Sequence, residues 1–192
     1  MPFKLIVIGA SLGGFHALKT VLADLPKDFP LPVVVVQHRS FEDSELFGPL
    51  LAQHVQLPVV EVEDKLEIKE GQILVAPSNY HILIEDTHLA LSADAPVLRA
   101  RPSIDVLFES AAESFGEDVL GVLLTGMSHD GVAGLKRIGE CGGYTIVQDP
   151  LTAEGRIMPE AAIESAMPDK ILPLDKIGAF LMDLSVGQRM KA

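Results

Sequence analysis

Short apolar runs alternate along this chain with stretches of helical periodicity, and that alternation builds parallel strands joined by crossover helices. The runs that read as strands are Leu5-Ile6-Val7-Ile8 and residues 33–38, 59–62, 73–77, 119–124 and 144–147. Leu18, Val21, Leu22 and Leu25 share one helical face that ends at Pro26. Leu46, Phe47, Leu50 and Leu51 suggest a second helix, with Pro49 in its first turn or at a bend. Ser103 is a good N-cap for a helix that carries Ile104, Leu107, Phe108, Ala111, Ala112 and Phe115 on one stripe and closes at Gly116. Further helices are expected over Val132–Glu140, from Pro159, and near the C-terminus with Asp175 as cap. Residues 64–71 read as a charged exposed stretch, and residues 80–85 with His88–Ser92 as an antiparallel hairpin around Asp86-Thr87. The expected fold class is α/β: a doubly wound, mostly parallel sheet in a three-layer α/β/α sandwich with one antiparallel hairpin. Residues 1–192 fit a single domain of this kind.

Composition narrows the function. No apolar run is long enough to cross a bilayer, and the first residues lack the basic stretch and apolar segment of a signal peptide, so a soluble cytoplasmic protein is expected. A single cysteine, Cys141, excludes an internal disulfide and any multi-cysteine zinc site. The formal charge of −12 disfavours nucleic acid and anionic membranes, neither of which offers counter-charge to an acidic surface. A protein or a small molecule is the expected partner.

Three strand ends carry groups of matching chemistry. The first strand runs into Gly9-Ala10-Ser11-Leu12-Gly13, which is G-x-S-x-G, and open α/β sheets do their chemistry at such carboxyl edges. The second ends at Gln37-His38, and the strand over 119–124 runs into Thr125-Gly126-Met127-Ser128-His129-Asp130. A serine hydroxyl is a weak nucleophile that needs a base, and histidine, with an ordinary pKa near 6.5, serves best near neutral pH. A carboxylate on the far ring nitrogen then sets the tautomer and stabilises the imidazolium. Ser11, His38 and Asp130 are the expected nucleophile, base and orienting acid. Backbone N–H groups of Leu12, Gly13 and Gly14, and of Gly126 and Met127, are candidate donors to the oxyanion. Arg99 and Arg101, before Pro102, could hold a substrate carboxylate.

Simpler roles compete for each residue. Ser11 and Asp130 could cap the helices that follow them, and solvated surface charge is the commoner role for arginines such as Arg99 and Arg101. The first turn also half resembles a dinucleotide loop, yet serine stands where glycine is wanted and no Lys-Ser or Lys-Thr follows to make a phosphate loop. His16, His54, His81 and His88 suit surface or half-buried structural roles. His129 competes with His38 as base, and as a metal ligand it lacks companions at a recognisable spacing.

Gly9-Ala10-Ser11 with Gly13-Gly14, Gln37-His38, Arg101-Pro102-Ser103-Ile104-Asp105-Val106-Leu107-Phe108, Leu124-Thr125-Gly126-Met127 with Asp130-Gly131, and Met158-Pro159 together resemble the catalytic domain of the CheB-family chemotaxis protein-glutamate methylesterases. The resemblance runs from about Lys4 to near Gly187. It implies a doubly wound α/β domain whose triad falls on Ser11, His38 and Asp130, acting without metal or organic cofactor. It also implies hydrolysis of glutamate methyl esters on cytoplasmic helices of chemoreceptors, with glutamine deamidation in some members. Leu12 stands where threonine is common in the family, and His129 where a small residue or asparagine is more usual. The first strand starts right after Met1-Pro2, so no receiver domain is expected ahead of it; a separate receiver protein would control the activity in trans, or the activity is unregulated. Three other readings stay open: a non-catalytic receptor-binding module of the same fold, an esterase for a different ester, and a nucleotide-binding protein.

Overall fold

A computed structural model describes residues 3–39 and 46–189, with backbone alone described over 186–189. Met1 and Pro2, on which the expected chain start rests, lie outside the described residues. Among the described residues there are six α-helices and ten strands, alternating in β/α order except where β3 to β7 follow one another without a helix between them. Seven strands form one sheet in the order β10-β9-β8-β1-β2-β5-β3, and every pairing in it is parallel. Its central strands are β1 (Leu5–Ala10), β2 (Val33–Gln37) and β8 (Val119–Leu123), each buried along its whole length. The outer strands are β5 (Ile73–Val75), β3 (Val59–Glu61), β9 (Tyr144–Gln148) and β10 (Lys170–Leu172).

Alternation of side chains sends the central strands into two cores. Ile6, Ile8, Val33, Val35, Leu120 and Val122 join one cluster with Leu18, Val21, Leu22 and Leu51. Leu5, Val7, Val34, Val36, Val119 and Leu123 join the other with Ile104, Leu107, Phe108, Leu135 and Ile138. A strand buried on both faces is apolar at every position, which explains the uninterrupted runs. Helices α1 (Gly14–Ala23), α2 (Phe47–Ala52) and α6 (Leu174–Arg189) contribute to the first cluster, and α3 (Ile104–Phe115), α4 (Val132–Glu140) and α5 (Ile157–Ala166) to the second.

Several expectations needed correction. The hairpin of β6 (His81–Glu85) and β7 (His88–Ser92) is joined by β4 (Leu66–Glu67), drawn from the stretch read as simply exposed, so the small sheet has three antiparallel strands. Strand β10 was not foreseen, because three residues at a sheet edge leave no alternation to read. Pro159 lies in the first turn of α5, two residues past its start, and Asp175 is the second residue of α6 rather than its cap. In α2, Phe47 and Leu51 are buried whereas Leu46 and Leu50 face outward.

Helices α3 and α4 are tied together at their amino ends by a reciprocal exchange of carboxylates. Asp130, just before α4, accepts the amides of Ile104 (2.7 Å) and Asp105 (3.0 Å), the first two residues of α3. Asp105 in turn accepts the amides of Gly131 (2.9 Å) and Gly134 (2.8 Å) at the start of α4. Each acid thereby satisfies N–H groups that the other helix leaves without intrahelical partners. Burial pushes Asp105 up to about 6; the Gly134 and Gly131 amides pull it down, and Asp130 and Glu109 add to the rise. Asp105→Ala would leave two buried amides without acceptors, an expected loss of about 2–4 kcal/mol. Asp105→Asn keeps the acceptor and should cost clearly less. The Asp105 pKa is higher folded than its ordinary 3.8, so the folded state retains a proton that the unfolded chain has lost, and this residue makes stability fall as pH rises from 3.8 to about 6. Urea unfolding between pH 4 and 7 should show that part of the decline missing in Asp105→Asn.

Candidate active site

The chain leaves β1 on one side toward β2 and returns on the other as β8, so the strand order reverses at β1. Ligands of open α/β sheets bind at the carboxyl end of such a switch point. Ser11 follows β1, His38 follows β2, and Asp130 follows the loop after β8. Parallel pairing brings these ends to one edge. The His38 amide donates to Ala10 (2.9 Å), the Ser11 amide to Thr125 (2.9 Å), and the Leu124 amide to Gly9 (2.9 Å).

Neither capping explanation holds for the helices it was meant for. The N-cap of α1 is Gly13 and that of α4 is Gly131, both left-handed and without a side-chain cap. Gly13, at φ 76°, turns the chain so that the Gly14 amide folds back onto the Ser11 carbonyl (2.8 Å). Gln37 holds that turn: its Nε2 donates to the carbonyls of Ser11 (2.8 Å) and His38 (2.7 Å), clamping the serine against the histidine loop. A Cβ on Gly14 would lie 1.8 Å from Gln37 Oε1, so only glycine admits the clamp. The Thr125 hydroxyl donates to the Leu12 carbonyl and accepts the Gly155 amide, each at 2.8 Å, pinning the Ser11 turn to the loop after β9.

Asp130 is fully buried and His38 Nε2 lies 2.6 Å from its Oδ2. A carboxylate only accepts, so Nε2 carries the proton and Nδ1 keeps the lone pair. The other oxygen, Oδ1, accepts the Ser103 hydroxyl at 2.7 Å. Burial would raise the Asp130 carboxyl, but the His38 and Ser103 hydrogen bonds and the Asp105 and Ile104 amides outweigh it and hold the carboxyl below its ordinary value. It is therefore an anion at neutral pH, aimed at the imidazole. His129 is exposed and is not the partner of Asp130.

Ser11 and His38 line one open cleft of about 750 Å³, together with Leu12, Gly13, Arg39 and Glu154. The Ser11 hydroxyl has no hydrogen-bond partner among the described residues, and such contacts in hydrolases often tighten only around substrate. Among the amide donors expected to serve an oxyanion, two are taken: Gly14 by the Ser11 carbonyl and Gly126 by the Gly155 carbonyl (2.9 Å). The amides of Leu12, Gly13 and Met127 are uncommitted among the described residues, and the Leu12 and Met127 side chains are about half exposed. Arg101 is committed elsewhere. Its guanidinium donates to Asn79 Oδ1 (2.6 Å from Nη2) and to the carbonyls of Ala93 (2.8 Å) and Asp94 (2.9 Å), which makes it a brace rather than a free cation.

Three contributors were missed in the sequence. Arg39 lines the cleft beside His38, its guanidinium 4.6 Å over the Phe47 ring and donating to the Ala76 carbonyl; burial pushes its pKa down and Glu61 opposes this. Only adjacency to His38 could have signalled it. Glu154 reaches the cleft from the loop after β9, where nothing local marks it. His81, read as surface or half-buried, is buried: its Nδ1 accepts the Ser103 amide (3.1 Å) and its Nε2 faces the Ala95 carbonyl (3.2 Å), supporting the serine that holds Asp130. No group of three or more His, Cys, Asp or Glu among the described residues is placed to hold a metal ion. No described helix is long and apolar enough to cross a membrane.

The family model described as CheB methylesterase matches residues 6–181. A curated relative from Leptospira interrogans, "Putative protein-glutamate methylesterase/protein-glutamine glutaminase", is 45% identical over 96% of each chain. The "Protein-glutamate methylesterase FrzG" of Myxococcus xanthus is 42% identical, covering 94% of this chain and 54% of its own length. Among solved structures, the Thermotoga maritima CheB methylesterase catalytic domain superposes with a TM-score of 0.90 at 33% identity, over 96% of this chain and all of that one. With a family match across most of its length and relatives this similar, the chain belongs to the CheB methylesterase family.

Proposed function

We propose that this chain hydrolyses glutamate γ-methyl esters on chemoreceptor helices, with Ser11 as nucleophile, His38 as base and Asp130 as orienting acid. The observation that carries this reading is the hydrogen bond from His38 to a fully buried carboxylate, in the same cleft as a serine at the sheet's switch point. His38 Nδ1 takes the Ser11 proton as the hydroxyl oxygen attacks the ester carbonyl. The carbonyl becomes a tetrahedral oxyanion, which the amides of Leu12 or Gly13 and Met127 stabilise. The imidazolium, held by Asp130, returns its proton to the methoxide as the C–O bond breaks, releasing methanol and leaving a glutamyl ester on Ser11. Water then attacks with His38 again as base, and the free glutamate departs. The same steps on a glutamine side chain release ammonia, consistent with the glutaminase activity in the relatives' names.

A single catalytic unit working in the cytoplasm on receptor tails completes the reading. One sheet with its covering layers holds all three proposed catalytic residues, which supports the single unit. Methanol release from methylated receptor should fall by at least about a thousandfold in Ser11→Ala, and equal rates would end the proposal. Asp130→Asn removes the carboxylate from His38 Nε2 and should lower kcat by a similar order while the substrate KM changes little. In the native chain, kcat/KM should fall as acid protonates the imidazole, because a cation cannot accept the serine proton. A rate flat from pH 5 to 8 would remove His38 as the base.

A further inference from the structure

Beyond His38 lies a second, smaller cavity of about 240 Å³, which shares His38 and Arg39 with the Ser11 cleft and is bounded across from them by Arg99, Arg101 and Ser128. Three of the chain's six arginines line it, in a protein of net charge −12, and no carboxylate does so among the described residues. The three are not equivalent. Arg101 is spent on Asn79 and two carbonyls, and Arg39 is held against Phe47 and the Ala76 carbonyl. Arg99 is exposed and makes no hydrogen bond or ion pair among the described residues.

Arg99 sits at the tip of a tight turn closed by reciprocal bonds, the Val97 amide to the Ala100 carbonyl (3.1 Å) and the Ala100 amide to the Val97 carbonyl (2.7 Å). Both tip residues, Leu98 at φ 46° and Arg99 at φ 67°, are left-handed without being glycine. Side chains seldom adopt that conformation, and it persists where surrounding contacts impose it. Arg101, next to the turn, supplies such contacts by tying its base to residues 79, 93 and 94. A braced turn thus presents an uncommitted guanidinium to a cavity that adjoins the proposed base. Guanidinium forks match carboxylates in shape and charge, and a backbone turn already held in place loses less entropy on binding.

We infer that this groove binds a substrate carboxylate close to the ester under attack, with Arg99 as its main contact, so that the enzyme selects methyl glutamates set among acidic residues. The inference rests on the esterase reading for its substrate, and binding tests it separately from turnover. Two synthetic peptides would carry one glutamate γ-methyl ester, flanked in one by glutamates and in the other by glutamines. Titration calorimetry on the full chain bearing Ser11→Ala should find the acidic peptide bound about tenfold tighter at low salt, with the preference shrinking as salt rises. Adding Arg99→Glu should abolish the preference, while Arg99→Lys, which keeps the charge, should retain most of it. Circular dichroism melts establish that the variants are folded. Equal affinity for the two peptides, or a preference that survives Arg99→Glu, would overturn the inference. Methanol release from the same peptides by the Ser11 chain decides the esterase reading independently: a binding preference without methanol keeps the groove and removes the reaction.

Discussion

Asp130 accepts from His38, from Ser103 and from the first two amides of α3, and its counterpart Asp105 accepts from the first amides of α4. The same carboxylate that orients the proposed base therefore joins the amino ends of two packed helices. An anion buried this deeply needs a full set of donors to stay charged, and these helix ends and side chains provide it. The proximity of two acids is offset unequally. Asp130, with four donors including the imidazole, stays well ionised, and Asp105, with two amides, titrates near pH 6. Folding and catalysis draw on the same hydrogen bonds, so the geometry of His38 is only as firm as the packing of α3 on α4.

Around this pair the site is assembled by side chains that bind backbone groups of neighbouring loops. Gln37 ties the Ser11 turn to the His38 loop, and Thr125 ties it to the loop after β9. Each is a polar group at a strand end, where the chain leaves the apolar sheet and its N–H and C=O groups need new partners. The proposed oxyanion donors are what remains when those needs are met: Gly14 and Gly126 are used in holding the loops, and Leu12, Gly13 and Met127 are left over among the described residues. Side-chain identity at position 12 matters little to an amide donor, so leucine in place of threonine leaves the Leu12 N–H in place.

Local patterning made the order of elements legible, down to the Ser103 cap of α3, whose hydroxyl accepts the Val106 amide at 3.4 Å. It fell short where an element is too brief to show a period, as at β4 and β10, and where a charged stretch pairs as an edge strand. The proposed nucleophile, base and acid were legible because each ends a long apolar run, and parallel strands must deliver their ends to one edge. The supporting groups were not. His81 carries no sign of burial in its alternating hairpin, and Arg101 reads as a free cation until its carbonyl partners are seen.

By itself, the sequence determined a parallel α/β sheet with Ser11, His38 and Asp130 at its carboxyl edge, because hydrophobic periodicity and strand direction are local properties that survive any detail of packing. Only the tertiary structure decided which helix Asp130 caps, which amides stay open among the described residues, and which arginines of the second cavity are already committed. Those outcomes depend on donors and acceptors tens of residues apart along the chain, as Asp130 and Ile104 are, and hydrogen bonds leave no trace in sequence until the fold brings their partners within 3 Å.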